Sequence, residues 1–116
     1  MAPSPSLLPL AISLGDPASI GPEVVAKCWD RRDELNLPPF VAVGDPRSIS
    51  IVWDGEIIVV DNPREADAAF DHGLPLLMVP ATEGGVPGVP TTAGAHCSLD
   101  ALEIAVGLAR SGSVAA

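Results

Sequence analysis

Leu14-Gly15-Asp16-Pro17-Ala18-Ser19-Ile20-Gly21-Pro22-Glu23 separates an apolar run from an amphipathic segment, and the fold turns on how it is read. Upstream, Leu7 to Leu14 is apolar apart from Ser13 and shows no clean alternation, the pattern of a strand buried on both faces of a sheet. Downstream, helix-start signals coincide. Gly21 suits an N-cap, Pro22 fits the first helical position because its missing N–H would be unpaired there anyway, and Glu23 complements the positive end of the dipole. Val24, Val25, Cys28, Trp29 and Leu35 are expected to form the buried side of this helix. Lys27, Asp30, Arg31, Asp33 and Glu34 are expected to stay in water. The unit is thus strand, glycine-bearing turn, helix.

Two readings of the turn are open. The amides at a helix N-terminus are a natural seat for phosphate or carboxylate, and ligands bind at the carboxyl ends of strands in open α/β sheets. Any strand-to-helix connection also needs turn residues, and Gly-Asp-Pro followed by Gly-Pro would serve geometry alone. Neither G-x-x-x-x-G-K-[ST] nor G-x-G-x-x-G is present, and Asp16 and Glu23 add negative charge, so a bound anion needs basic help from elsewhere.

Further along, Phe40-Val41-Ala42-Val43-Gly44 reads as a second buried strand ended by Asp45-Pro46, after a turn over Asn36 to Pro39. Ser48 to Trp53 fits a short helix or an irregular piece equally. Ile57-Ile58-Val59-Val60 is β-branched throughout and predicts a third strand. Asn62 is expected to open a short helix over Pro63 to Phe70, with Glu65, Asp67 and Asp71 facing solvent. Leu74 to Val79 reads as a strand whose Pro75 predicts a sheet edge or a first residue. Pro80 to Ala93 is rich in Gly, Pro and Thr and predicts a long loop, either functional or a plain connection. A final helix, from Ala93 or Ser98 to Arg110, is expected to bury Leu99, Leu102, Val106 and Ala109 and to close at Ser111-Gly112. His96 at its start suits a metal ligand, a proton shuttle or, more simply, a structural imidazole. His72 is expected to be exposed, and the two histidines have no ligand partner at recognisable spacing.

Composition narrows the function classes. The chain has 116 residues, six Lys and Arg against fifteen Asp and Glu, and a formal charge of -9. That charge argues against nucleic acid or an anionic membrane as partner. The length is that of one domain, small for a two-lobed enzyme, and holds one lobe at most. Cys28 and Cys97 read as reduced thiols, which together with the lack of a basic, apolar leader predicts a cytoplasmic protein. Met1 to Ser6 reads as a loose lead-in. Ser113-Val114-Ala115-Ala116 has the character of a strand just beginning, so residues 1–116 are expected to be the amino-terminal part of a single domain in a longer protein. A sheet cut there exposes an edge, and self-association is the expected consequence.

Pro9-Leu10-Ala11-Ile12-Ser13 and the stretch that follows, through Val24-Val25-Ala26-Lys27, resemble the amino-terminal signature of the 4-hydroxythreonine-4-phosphate dehydrogenase family, usually written G-D-P-A-G-I-G-P-E. The strand ending in Gly44-Asp45 and the run Gly88 to Gly94 extend the likeness. Ser19 stands where the family usually has glycine, a costly exchange if that site requires positive φ or the close approach of a ligand. The isocitrate and isopropylmalate dehydrogenases carry a related G-D-G-I-G-P-E turn.

The resemblance implies an α/β fold: a mostly parallel sheet of four or five strands with flanking helices, isocitrate/isopropylmalate-dehydrogenase-like, present as an incomplete lobe. For the complete protein it implies oxidation of a small phosphorylated substrate, 4-hydroxythreonine 4-phosphate, with NAD (or NADP) and a divalent metal such as Zn, Mg or Co. The product would be a 3-oxo acid that loses carbon dioxide, in vitamin B6 biosynthesis, and the assembly a homodimer. No metal ligand or catalytic residue is expected in this chain. Gly15, Asp16, Pro17, Ile20, Gly21, Pro22 and Glu23 are the expected cofactor- or substrate-binding loop. A dehydrogenase of a related phosphorylated four-carbon hydroxy acid, such as a phosphothreonate, and a non-catalytic binding module that keeps only this lobe are the alternatives.

Overall fold

The computed structural model describes residues 8–79 and 86–116. Four strands, β1 (Leu10–Ser13), β2 (Phe40–Gly44), β3 (Ile57–Val59) and β4 (Leu74–Met78), form one sheet in the order β1-β2-β4-β3. All three pairings are parallel. The helices are α1 (Gly21–Asp30), α2 (Pro46–Ser50), α3 (Ala66–Ala69) and α4 (Thr92–Arg110). The fold is α/β, as expected.

Alternation along β2 divides the core between the two faces of the sheet. Phe40 and Ala42 pack with Leu14, Val25 and Ala26 beside α1, with Ile49 of α2, and with Phe70, Leu74 and Leu76. Val41 and Val43 point the other way, Val43 into a cluster with Val79, Cys97 and Ala101 beneath α4. β2 is therefore buried at every residue, which is why it reads as an unbroken apolar run. No helix among the described residues is long and apolar enough to cross a membrane.

Several expectations are corrected. β1, expected to be buried on both faces, is only half-buried and lies at one edge of the sheet. Its edge is partly covered. The Ala115 amide donates to the Pro9 carbonyl at 2.9 Å and the Ala11 amide donates to the Ala116 carbonyl at 2.9 Å, so the last residues run beside β1 in the same direction, with Val114 buried. In α1, Ile20 rather than Gly21 is the N-cap, no side chain caps it, and the helix ends at Asp30. Val24 and Leu35 are exposed, and burial falls on Pro22, Val25 and Ala26.

β4 lies between β2 and β3, so Pro75 occupies a central strand. The ladder absorbs it because amides alternate in direction: Leu74 donates toward β3, to the Glu56 carbonyl, which directs the Pro75 nitrogen toward β2. The β2–β4 register begins only at Leu76, so no ladder bond is lost there.

The face of α4 is reversed relative to expectation. Gly94, Cys97 and Ala101 lie against the sheet, and Leu99, Leu102 and Val106 point outward. Small residues let the helix approach the sheet closely, and α4 is apolar around most of its circumference, so periodicity alone does not choose the side.

Other expectations hold. Asp45 ends β2 and its carboxylate caps α2, accepting from the Arg47 amide at 2.9 Å, so the undecided stretch from Ser48 begins as helix. Asn62 opens a 3₁₀ turn over Pro63–Glu65 that leads into α3, accepting from the Arg64 amide at 2.9 Å. Glu65, Asp67, Asp71 and His72 are exposed, and both cysteines are free thiols. Residues 80–85 of the expected loop, Met1 to Ser6, and Leu7 of the expected first strand lie outside the described residues.

Candidate functional site

Because the four strands are parallel, their carboxyl ends share one edge of the sheet, and the segments leaving β1, β2 and β4 meet there. The ladder continues past the strands: the Leu14 amide donates to the Val43 carbonyl at 3.0 Å, and the Val79 amide donates to the Gly44 carbonyl at 2.9 Å. Leu14, Gly44 and Val79 thus fix where the three exits begin.

The β1–α1 turn is held by its own residues. Gly15 has φ +73°, a conformation that costs a residue with a side chain. The Asp16 carboxylate accepts from the Ala18 amide at 2.8 Å, and the Asp16 carbonyl accepts from the Ser19 amide at 2.9 Å and the Ser19 hydroxyl at 2.7 Å. Ser19 is not among the residues with positive φ and is exposed, so serine fits here without backbone strain and its hydroxyl helps close the turn. At Gly21 a Cβ would overlap the Leu14 carbonyl, so glycine is fixed there by close approach of β1 and α1.

The α4 end completes the arrangement. A Cβ on Gly94 would lie 3.0 Å from Asp16 Oδ1, 3.2 Å from Thr91 Oγ1 and 3.6 Å from Pro17 Cδ, so the first turn of α4 rests directly on the Gly15–Pro17 turn. Thr91 caps that helix, accepting from the Gly94 amide at 3.0 Å. The Asp16 carboxylate therefore sits beside the N-terminal end of a 19-residue helix, where negative charge is favoured. The Gly88 amide donates to the Ala18 carbonyl at 2.8 Å, adding a tie from the preceding connection.

From β2 come Asp45 and Arg47. The Asp45 side chain is 3% exposed and forms an ion pair with Arg47, Nη2 to Oδ2 at 2.7 Å, while the guanidinium is half in water. That contact raises the Arg47 pKa. Burial pushes the Cys97 thiol up, with the Asp45, Asp100 and Asp16 carboxylates adding to the effect. Cys97 is thus a protonated core thiol, its Sγ 3.6 Å from the Val79 carbonyl oxygen.

Of the seven residues expected in the loop, Asp16 and Pro17 lie against α4, Gly15 supplies the positive-φ bend before them, and Pro17 and Pro22 are buried. Ile20 is 73% exposed at the start of α1. Glu23 pairs with Lys27 at 3.1 Å along the helix surface, away from the Asp16–Gly94 contact. His96 is exposed near the start of α4. Sequence reasoning missed Asp45, Arg47, Thr91 and Gly94. The first two were signalled by their place just after a buried parallel strand, and Thr91 by being an N-cap residue type before the helical period.

Asp45 also offers a direct test of the local architecture. Replacing it with Ala removes the cap of α2 and leaves Arg47 without that partner. The expected loss is about 0.5–2 kcal/mol of stability, read by urea denaturation.

No protein-family model matches the chain. It is 43% identical over 108 residues to a 4-hydroxythreonine-4-phosphate dehydrogenase from Zymomonas mobilis, covering 93% of this chain and 32% of that protein. It is 36% identical over 112 residues to the protein of the same name from Xanthobacter autotrophicus, again covering 93% and 32%. The crystal structure of 4-hydroxythreonine-4-phosphate dehydrogenase from Klebsiella pneumoniae superposes with a TM-score of 0.78 at 25% identity, over 92% of this chain and 35% of that one. The chain spans about a third of the length of the curated relatives it matches. Sequence and fold agree, over nearly all of this chain's residues, with the amino-terminal part of proteins named 4-hydroxythreonine-4-phosphate dehydrogenase.

Proposed function

We propose that this chain is the amino-terminal third of an NAD- or NADP-dependent dehydrogenase that oxidises the secondary hydroxyl of 4-hydroxythreonine 4-phosphate. The product is a 3-oxo acid that loses carbon dioxide, and the enzyme serves vitamin B6 biosynthesis in the cytoplasm as a homodimer. The observation that carries this reading is the Gly15–Glu23 turn, which follows the family's signature at every position but Ser19 and sits at the carboxyl edge of the parallel sheet against the first turn of α4. That edge is where open α/β sheets hold their ligands.

In this reading Gly15, Asp16, Pro17, Ile20, Gly21, Pro22 and Glu23 form one wall of the cofactor- or substrate-binding cleft. Gly21 lets the start of α1 approach β1, and Asp16 fixes the turn through its bond to the Ala18 amide. Arg47, just beyond the end of the neighbouring strand β2 and half in water beside Asp45, is a basic group for a phosphorylated ligand at this edge. NAD, when bound, takes up the hydride.

Among the described residues no group of three His, Cys, Asp or Glu side chains is arranged to hold a metal ion. No step through the divalent cation that the family resemblance implies is assigned to these residues. Substrate choice between 4-hydroxythreonine 4-phosphate and a phosphothreonate is assigned to the remaining two thirds of the family's length.

The test is NADH formation with 4-hydroxythreonine 4-phosphate and a divalent cation, using this chain and the longest product its gene encodes. Activity in the longer product alone is the expected result. Activity with a phosphothreonate instead redirects the substrate assignment, and a stop codon after Ala116 favours a binding module.

A further inference from the structure

Ser19 is the residue at which the Gly15–Glu23 turn departs from the signature it resembles, and its hydroxyl stands in the mouth of that turn. A Cβ on Gly15 would lie 3.9 Å from Ser19 Oγ and one on Gly21 would lie 3.7 Å from it, so the oxygen sits between the two glycines that shape the bend. Ser19 is exposed, and its hydroxyl donates its proton to the Asp16 carbonyl at 2.7 Å. A hydroxyl has one proton and two lone pairs, so Oγ meets water as an acceptor. The Gly21 amide reaches it at 3.4 Å, a long contact that leaves acceptor capacity unspent.

The same turn is poor in donors. Pro17 and Pro22 carry no N–H, the Ala18 amide is bonded to the Asp16 carboxylate at 2.8 Å, and the Ser19 amide to the Asp16 carbonyl at 2.9 Å. Asp16 adds negative charge, and the first basic residue in the chain is Lys27, which pairs with Glu23 at 3.1 Å. A phosphate dianion brings only acceptors and would meet an acceptor, a carboxylate and amides already in use. A hydroxyl or carboxamide brings a donor and no charge, and that is the complement of Oγ.

We propose that Ser19 is a specificity-determining residue of the cleft, its Oγ accepting a hydrogen bond from an uncharged hydroxyl or carboxamide of the ligand while the turn rejects phosphate. Glycine makes no such bond, so the contact belongs to this chain and not to the signature. The inference rests on the reading of the turn as one wall of the cleft. NAD and 4-hydroxythreonine 4-phosphate both carry such donors, so each is measured by itself.

The experiment is isothermal titration calorimetry on the longest product of the gene, as parent, Ser19→Ala and Ser19→Thr, with NAD, 4-hydroxythreonine 4-phosphate and inorganic phosphate in turn. Ser19→Ala is expected to weaken NAD or the substrate, and not both, by about three- to tenfold, the range of one neutral hydrogen bond. The ligand that weakens is the one whose donor Ser19 holds. Ser19→Thr keeps an oxygen at this place and is expected to bind within about twofold of the parent, with the affinity for inorganic phosphate the same in all three proteins. Affinities indifferent to Ser19→Ala overturn the inference, as does a threonine variant as weak as the alanine. Weakening of NAD and substrate together would make the hydroxyl a merely structural part of the turn, and a phosphate affinity that falls in Ser19→Ala would place phosphate on Ser19; either result overturns it too. Turnover is not read. An inactive product that binds with the expected pattern sinks the dehydrogenase reading alone, an active enzyme whose affinities ignore Ser19 sinks this inference alone, and a product that binds neither NAD nor substrate sinks both.

Discussion

Leu76→Ala is expected to cost about 2–5 kcal/mol of stability, the largest effect expected of a single truncation in the sheet. Leu76 is fully buried in the centre of the sheet, paired with Ala42 of β2 on one side and Val59 of β3 on the other. Its side chain belongs to the cluster that joins Leu14, Val25, Phe40, Phe70 and Leu74. Truncation leaves a cavity among residues held by strand pairing on both sides, so relaxation is limited. Domains of this size hold about 5–15 kcal/mol in all. A loss of that order lowers the midpoint of thermal unfolding by roughly 10 °C or more, read by circular dichroism. A change below about 1 kcal/mol would mean that β4 is not the central strand.

Gly21→Ala is expected to be the most damaging single-methyl change in the Gly15–Glu23 turn, costing about 1–3 kcal/mol and displacing the start of α1. The added Cβ would meet the Leu14 carbonyl, a backbone atom at the end of β1 with no rotamer in which to retreat. φ is not positive at Gly21, so the cost is purely one of close approach. Gly107→Ala is the matched control: Gly107 lies in α4 with nothing within 4 Å of the place a Cβ would take, and alanine there is expected to stabilise by about 0.5–1 kcal/mol. Denaturation of the two variants side by side checks the contrast. Equal effects would place the loop glycine in open space and remove the physical reason for its presence.

Local chemistry carried much of the fold. The Gly-Asp-Pro and Gly-Pro turn, the β-branched run at Ile57, and Asp45 and Asn62 ahead of prolines each act within a few residues of themselves, so their effects are legible in the chain. Pro75 and α4 were misjudged because their outcome depends on partners distant in sequence. Proline is tolerated in β4 only because the β2 register starts at Leu76, and α4 turns its small residues inward only because the sheet offers Val43 and Val79 close by. The site follows the same division. Residues Gly15 to Glu23 stand out as a candidate by their own pattern, whereas Arg47, Thr91 and Gly94 come near them through parallel strand ends that no local pattern reports.

The central claim is that the Gly15–Glu23 turn, braced by Asp16 against α4, forms part of a dehydrogenase cleft. The most direct measurement is NADH formation from 4-hydroxythreonine 4-phosphate by the longest product of the gene, with and without Asp16→Ala. The account predicts an active enzyme whose kcat/KM falls by about tenfold or more in the variant, equivalent to roughly 1.4 kcal/mol, with folding retained. An inactive long product, or a variant as active as its parent, would contradict it.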